Sequence, residues 1–215
     1  MSITVQAILF DIDGTLVDST PAVERTWRAW SAHYGIDAEA VLRVCHGRRS
    51  TDTVADFLPE VARVDAVRTL DEIELQDFDG VVALPGAHDL LASLPAERWA
   101  AVTSGSRDLM IKRLEAALLP VPEVLVAAGD VTVGKPDPEG YLLAARQLGF
   151  APADCLVVED APAGAAAGRN AGARVLGLET SHCLSDLGRL DLAAKNLSRV
   201  SMVDQGDGLY VLTQD

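Results

Sequence analysis

Residues 7–15, Ala7-Ile8-Leu9-Phe10-Asp11-Ile12-Asp13-Gly14-Thr15, carry an unbroken apolar segment straight into two carboxylates and a turn pair. Four consecutive apolar residues closed by a turn signal read as a strand buried on both faces, and Asp-Gly favours a turn at its end. Side chains two residues apart in extended backbone point to the same side, so a strand continued through this segment would crowd Asp11 against Asp13. Carboxylates that close need a divalent cation, or chemistry that keeps one ionised while the other holds a proton. An acidic turn with no further purpose is the plain alternative, and the rest of the chain bears on the choice.

Downstream, short β-branched runs alternate with helical patterns. Strands are expected over 99–102, 124–126, 155–158 and 174–178, with helices over 107–117, 140–148 and 162–171 between them. This alternation predicts an α/β fold with a parallel, doubly wound sheet, because strands apolar on both faces require helices on both sides. Between Ser19 and about Gly80 the pattern is helical only. Thr20-Pro21 reads as an N-cap with proline at the first helical position, and Val23, Trp27, Trp30 and Tyr34 recur at helical spacing until Gly35. Further helices are expected over 38–44, 50–58 and 64–77. The expected organisation is a core of residues 1–16 and 83–215 with an inserted helical cap of residues 17–82. The two tryptophans could form a ligand platform, but at this spacing cap core is the commoner use. A closing hairpin is expected from Ser201-Met202-Val203 through a Gly206-Asp207-Gly208 turn to Tyr210-Val211-Leu212.

The 215 residues include 18 basic and 32 acidic side chains, a net charge of −14. Such a surface repels a phosphate backbone, so nucleic acid is not an expected partner. A small phosphorylated substrate meets the same field and needs locally placed positive charge. The lysines are only Lys112, Lys135 and Lys195, and none falls in the cap. Cys45, Cys155 and Cys183 form no CxxC or Cys/His cluster, so neither a disulfide framework nor a zinc site is implied. The first residues carry no basic n-region and no apolar run approaches the length of a membrane span, so neither a leader nor a span is expected. A monomer in a reducing cytoplasm, without membrane contact, is the expectation.

In a parallel α/β sheet the ligand site lies beyond the carboxyl ends of the strands. Those positions hold Asp11 and Asp13, then Thr103-Ser104-Gly105-Ser106, Gly134-Lys135-Pro136 and Glu159-Asp160. Singly, each has a plain alternative: Ser104 or Ser106 as a helix cap, Lys135 as a solvated side chain, Glu159-Asp160 as a cap for the next helix. Together they fit phosphoryl transfer. A carboxylate can attack phosphorus and split one displacement into two, an acidic oxygen cluster suits Mg²⁺, and Lys135 with Ser104 and nearby N–H groups can offset the phosphoryl oxygens.

The ordered set FDIDGTLVDS, VTSGS, GKPDP and VVEDAPAG resembles the four motifs of the haloacid dehalogenase superfamily, in its phosphatase and phosphoglucomutase-like branch with a helical cap. The resemblance implies Asp11 as nucleophile and Asp13 as general acid/base. It implies Ser104 as the phosphate-binding hydroxyl, with Thr103 competing by one residue, and Lys135 as the third-motif lysine. Mg²⁺ would be held by Asp160, Asp11 and the backbone carbonyl of Asp13, with Glu159 as a second contact, directly or through water.

Within that superfamily, dehalogenases lack the second aspartate, so Asp13 argues against them. Phosphonatases use a cap lysine, absent here. The similar mutases carry a histidine ten residues after the acid/base, where this chain has Val23, so water is expected to take the phosphoenzyme. The segment Cys45-His46-Gly47-Arg48-Arg49-Ser50-Thr51-Asp52 resembles the cap loop of sugar and polyol phosphatases, those for 2-deoxyglucose 6-phosphate and glycerol phosphate. A glycine lets backbone approach a ligand, and an arginine can hold hydroxyls or phosphate oxygens. Gly47, Arg48 and Arg49 are therefore substrate-binding candidates, with Ser106 and Arg107 after the Ser104 loop. A helix-linking turn is the plain alternative. The expectation is a Mg²⁺-dependent phosphatase for a small phosphorylated sugar or polyol. A hexose-phosphate mutase is the runner-up, and an idle phospho-ligand sensor fits poorly with an intact Asp11, Asp13, Lys135 and Asp160.

Overall fold

The structure is a computed structural model that describes residues 2–206 and 208–213. Its strands are β1 (Ser2–Val5), β2 (Ala7–Phe10), β3 (Val17–Asp18), β4 (Val82–Ala83), β5 (Trp99–Val102), β6 (Leu125–Val126), β7 (Cys155–Glu159), β8 (Arg174–Leu178), β9 (Leu192–Ala194), β10 (Val200–Asp204) and β11 (Leu209–Thr213). Its helices are α1 (Thr20–Tyr34), α2 (Ala38–Leu42), α3 (Ser50–Phe57), α4 (Glu60–Glu74), α5 (Ala87–Ala92), α6 (Arg107–Ala116), α7 (Glu139–Leu148) and α8 (Pro162–Asn170).

Six strands form one sheet in the order β6-β5-β2-β7-β8-β9, parallel throughout. The chain enters this sheet at β2, winds outward through β5 and β6, then returns to β7 on the other side and winds out to β9. The winding direction therefore reverses beside β2, which makes the end of that strand the topological switch point where α/β sheets bind ligands. Asp11 is the first residue past β2, and its N–H donates to Val158 O at 3.0 Å.

Alternation along β2 explains why the sheet needs two covers. Ile8 and Phe10 pack with Leu90 and Leu91 of α5 and Leu109 and Leu114 of α6. Ala7 and Leu9 pack with Tyr141 and Ala144 of α7 and Ala165 of α8. All residues of β2, β5 and β7 are buried, as expected for a doubly wound sheet. The expected C-terminal hairpin is present as β10 and β11; Asp207 of its anticipated turn lies outside the described residues. It joins β1 in a three-stranded antiparallel sheet. Strand β1 escapes a sequence reading because Ser2–Val5 abuts β2 with only Gln6 between, and α5 because six residues are too few to show a helical period.

Between β3 and β4 the chain forms helices α1 to α4, the segment expected as the cap. Its core gathers Trp27, Trp30, Val41, Val54, Ala66 and Leu70. Trp30 is fully buried and its indole N–H donates to Ala66 O at 2.9 Å, while Trp27 meets it edge-on at 5.3 Å between ring centroids. The tryptophan stripe is thus cap core. The two chain crossings pair with each other, Val17 with Ala83 and Asp18 with Val82, so one short ribbon carries the cap.

Two helix starts differ from the sequence expectation. Thr20 is the first residue inside α1, not its cap; Ser19 occupies the cap position without capping, because its hydroxyl is used elsewhere. Helix α4 runs from Glu60 instead of 64: Pro59 sits at its cap, and Leu58 before that proline is held extended. No helix among the described residues is long and apolar enough to cross a membrane. Cys45, Cys155 and Cys183 are free thiols, and burial pushes Cys45 up to about 12 and Cys155 up to about 11, as suits packed rather than nucleophilic cysteines.

Candidate active site

The end of β2 holds Asp11, 7% exposed. Lys135, in the loop before α7, donates its ammonium to Asp11 Oδ1 at 2.5 Å and to Glu159 Oε1 at 2.7 Å. Glu159, the last residue of β7, is engaged on every side. Tyr141 donates to Oε1 at 3.0 Å, and the N–H groups of Asp160 and Ala161 donate to Oε2 at 3.0 Å each. Burial alone would lower the Lys135 ammonium, but Asp11 and Glu159 outweigh it and hold it well above the usual lysine range, so the lysine stays charged.

Asp160 faces the same space. It accepts from Thr15 Oγ1 at 3.0 Å and from the Ser181 hydroxyl. Gly14, with φ +87°, leaves room for it: a Cβ there would overlap the Asp160 carboxylate. Asp11, Glu159 and Asp160 each bring a carboxylate oxygen within 4.8 Å of the others. Three carboxylates around one ammonium leave an excess of two negative charges. Burial, reinforced by Glu159, accordingly pushes Asp160 up to about 7. Burial likewise pushes Asp11 well above the usual carboxylate range, with Lys135 pulling against it and Glu159 and Asp160 adding to the rise. Hard oxygen donors with this charge deficit suit a divalent cation. Since the four hydrogen bonds to Glu159 occupy both of its oxygens, Asp11 and Asp160 are the carboxylates better disposed to hold one.

On the far side of Asp11 stands Asp13. Ser19, at the start of the cap, donates to its Oδ1 at 2.7 Å, and Arg113 of α6 donates to Oδ2 at 2.7 Å. Arg113 also approaches Glu74, the last residue of α4, at 3.7 Å. The acid/base candidate is therefore held by one residue from the cap and one from the core.

A chamber between core and cap is lined by Asp11, Asp13, Asp160, Thr103 and Ser104 on the core side, and by Val23, His46, Gly47 and Arg48 on the cap side. Ser104 spans the gap, donating to Gly47 O at 3.0 Å. Thr103 accepts from the Gly105 N–H at 3.1 Å, which leaves its own hydroxyl hydrogen to donate elsewhere. Gly47, at φ +72°, lies so near Ala161 that a Cβ would sit 2.9 Å from that side chain, so this glycine lets the cap backbone approach the core loop.

The other substrate-binding candidates are placed differently. Arg48 lines the chamber while pairing with Asp56 at 2.8 Å. Arg49 turns away from it: it pairs with Asp52 at 2.9 and 3.0 Å and donates to Thr132 O at 3.1 Å, lying against the Gly134-Lys135 loop. Arg107 is engaged by Asp130 at 2.6 Å and Leu125 O at 2.8 Å, and neither it nor Ser106 lines the chamber. Sequence reasoning missed Thr15, Ser19, Glu74, Arg113 and Ser181. Ser181 was reachable, since it follows β8 at the same sheet edge; Glu74 and Arg113 sit inside helices and carry no such positional signal.

A family model for haloacid dehalogenase-like hydrolases matches residues 5–172. Hexitol phosphatase A of Escherichia coli is 41% identical over 96% of this chain and 98% of its own. Glycerol-1-phosphate phosphohydrolase 2 of Saccharomyces cerevisiae is 38% identical over 91% of this chain and 84% of its own. The crystal structure of a hydrolase from Pseudomonas syringae superposes with a TM-score of 0.77 at 25% identity, covering 90% of this chain and 94% of that one. With the family match spanning most of the chain and the four motifs gathered at one sheet edge, the chain belongs to the haloacid dehalogenase-like hydrolases.

Proposed function

We propose that the protein is a Mg²⁺-dependent phosphatase that hydrolyses a small phosphorylated sugar or polyol through a phosphoaspartate at Asp11. The observation that carries this reading is the contact between Lys135 and Asp11 at the switch point, with Asp11 facing the chamber between core and cap. Lys135 opposes the upward push of burial on the Asp11 carboxylate, and the same lysine offsets charge on a phosphoryl group bound next to it.

In this scheme an Asp11 oxygen forms a bond to phosphorus while the bond from phosphorus to the substrate's alcohol oxygen breaks. Asp13 gives that oxygen a proton, then takes one from the water that attacks phosphorus, and the Asp11–phosphorus bond breaks to release inorganic phosphate. Ser19 and Arg113 aim Asp13. Thr103, whose hydroxyl hydrogen is free, offers it to the phosphoryl oxygens, Ser104 can do so only by releasing Gly47 O, and Glu159 holds Lys135 in place. Asp11, Asp160 and the Asp13 carbonyl would hold Mg²⁺, which when bound supplies charge neutralisation and Lewis acidity at the phosphoryl oxygens. Every residue named comes from one chain.

The substrate class rests on the relatives, one named for hexitol and one for glycerol 1-phosphate, and on a chamber wall with no lysine. Val23 lines that wall, which favours hydrolysis over the mutase alternative. The test is phosphate release from sugar, polyol, nucleotide and carboxylic-acid phosphates, each with Mg²⁺ and with EDTA. Mg²⁺-dependent release concentrated on sugar or polyol phosphates is expected. Preference for another class would discard the substrate reading, and no release from any of them would discard the phosphatase.

A further inference from the structure

Glu74 is an anomaly for stability. It is 8% exposed, and no hydrogen bond reaches its carboxylate among the described residues; its ion-pair partner is Arg113, at 3.7 Å. It is the last residue of α4, where the helix dipole disfavours an anion. A buried carboxylate without donors is costly, and burial pushes it up to about 7. Yet it lines the chamber, as does Arg113. Arg113 is itself 4% exposed and touches Asp13, the group that would protonate the leaving oxygen. Carbons next to an oxygen at Asp13 would then face the part of the chamber that Arg113 and Glu74 line.

We propose that Glu74 of the cap and Arg113 of the core form the subsite that recognises hydroxyl groups on the substrate's carbon chain, Glu74 accepting from them and Arg113 donating. The inference rests on the polyol reading and sharpens it. Where Glu74 is ionised, one guanidinium between the carboxylates of Asp13 and Glu74 leaves a surplus negative charge, which disfavours alcohols bearing a carboxylate or a second phosphate. Neutral hydroxyls can both give and receive hydrogen bonds here. A bare alkyl chain leaves the buried carboxylate without partners, the situation in which polar sites discriminate most strongly.

The test compares kcat/KM for glycerol 1-phosphate and a hexitol 6-phosphate with that for propyl phosphate, which lacks the free hydroxyls, in the wild type and in Glu74→Gln at saturating Mg²⁺. The wild type is expected to prefer the hydroxylated substrates, and the variant to lose about 10- to 100-fold of that preference. If Glu74 and Arg113 merely pin the cap to the core, kcat/KM falls equally on all three substrates and the ratio stays, which overturns the inference. A wild type without the preference overturns the polyol reading itself, a separate outcome. Should Glu74→Gln not fold, Glu74→Asp keeps the charge but withdraws it by one methylene, and the same ratio decides.

Discussion

Replacing Glu159 with glutamine separates a residue that holds a lysine from one that binds a metal. Both oxygens of Glu159 are taken, one by Lys135 at 2.7 Å and Tyr141 at 3.0 Å, the other by two backbone N–H groups at 3.0 Å. Four donors and no acceptor surround the carboxylate. Glutamine keeps the shape but has one oxygen, so either amide orientation turns an NH₂ toward two donors. Removing one partner of a buried ion pair costs about 3–5 kcal/mol. Opposing this, the substitution relieves repulsion on Asp11 and Asp160. That relief is the smaller effect, because burial is the main cause of both rises. For a chain of this size, roughly 2–4 °C per kcal/mol predicts an unfolding temperature lower by about 6–20 °C. The assay is thermal unfolding in EDTA, where no metal contributes. An unchanged or higher unfolding temperature would refute the reasoning, since a carboxylate whose purpose is to bind metal should stabilise the metal-free protein when neutralised.

Asp11→Asn should remove turnover by about a thousandfold or more while leaving circular dichroism intact; substantial residual phosphate release from pure protein contradicts the nucleophile assignment. Asp160, raised from 3.8 to about 7, holds a proton in the folded chain that the unfolded chain has lost. Its contribution to stability is therefore full below about pH 4 and disappears as pH rises through 7, a difference of up to about 4 kcal/mol. A divalent cation takes the place of that proton, so the rise in unfolding temperature on adding Mg²⁺ should grow from pH 5 to pH 8, and a flat or inverted trend counts against the site. Arg49→Ala should raise KM by a similar factor, about 3- to 10-fold, for every substrate, because Arg49 clasps the cap to Thr132 O; a change confined to one substrate class would restore it as a specificity residue.

How much of this was legible in the sequence follows from where each signal is stored. Asp11 and Asp160 are readable because strand ends in a parallel sheet are marked by apolar runs, and the carboxyl edge gathers whatever follows them; Lys135, in the loop ahead of α7, is readable through the Gly134-Lys135-Pro136 motif. The same rule, extended past β8, would have found Ser181. It fails for Arg49. Two adjacent arginines in a cap turn look equivalent as sequence, yet the first helical turn of α3 sends one to the chamber wall and the other to Asp52 and the lysine loop. It fails again for Ser19, which has the chemistry of an N-cap and the position of one, but spends its hydroxyl on Asp13.

That diversion of Ser19 bears on how closure and chemistry are connected. The ribbon of β3 and β4 is the chain's route into and out of the cap, and Ser19 lies one residue beyond β3. Arg113 reaches Asp13 from the core and Glu74 from the cap, so Asp13 is held from both domains. A cap displaced from this position would draw Ser19 away from one oxygen of Asp13 and Glu74 away from Arg113. In the proposed mechanism, proton transfer to the leaving alcohol would therefore be organised only when the cap is seated, and Glu74, which seats beside it, is the group proposed to meet the substrate's hydroxyls. A polyol that fills the chamber would then favour the closed arrangement by supplying the donors that Glu74 lacks, whereas the chain of an alkyl phosphate would supply none. On the proposed reading, substrate recognition and placement of the acid/base would in this way be two readouts of one interface.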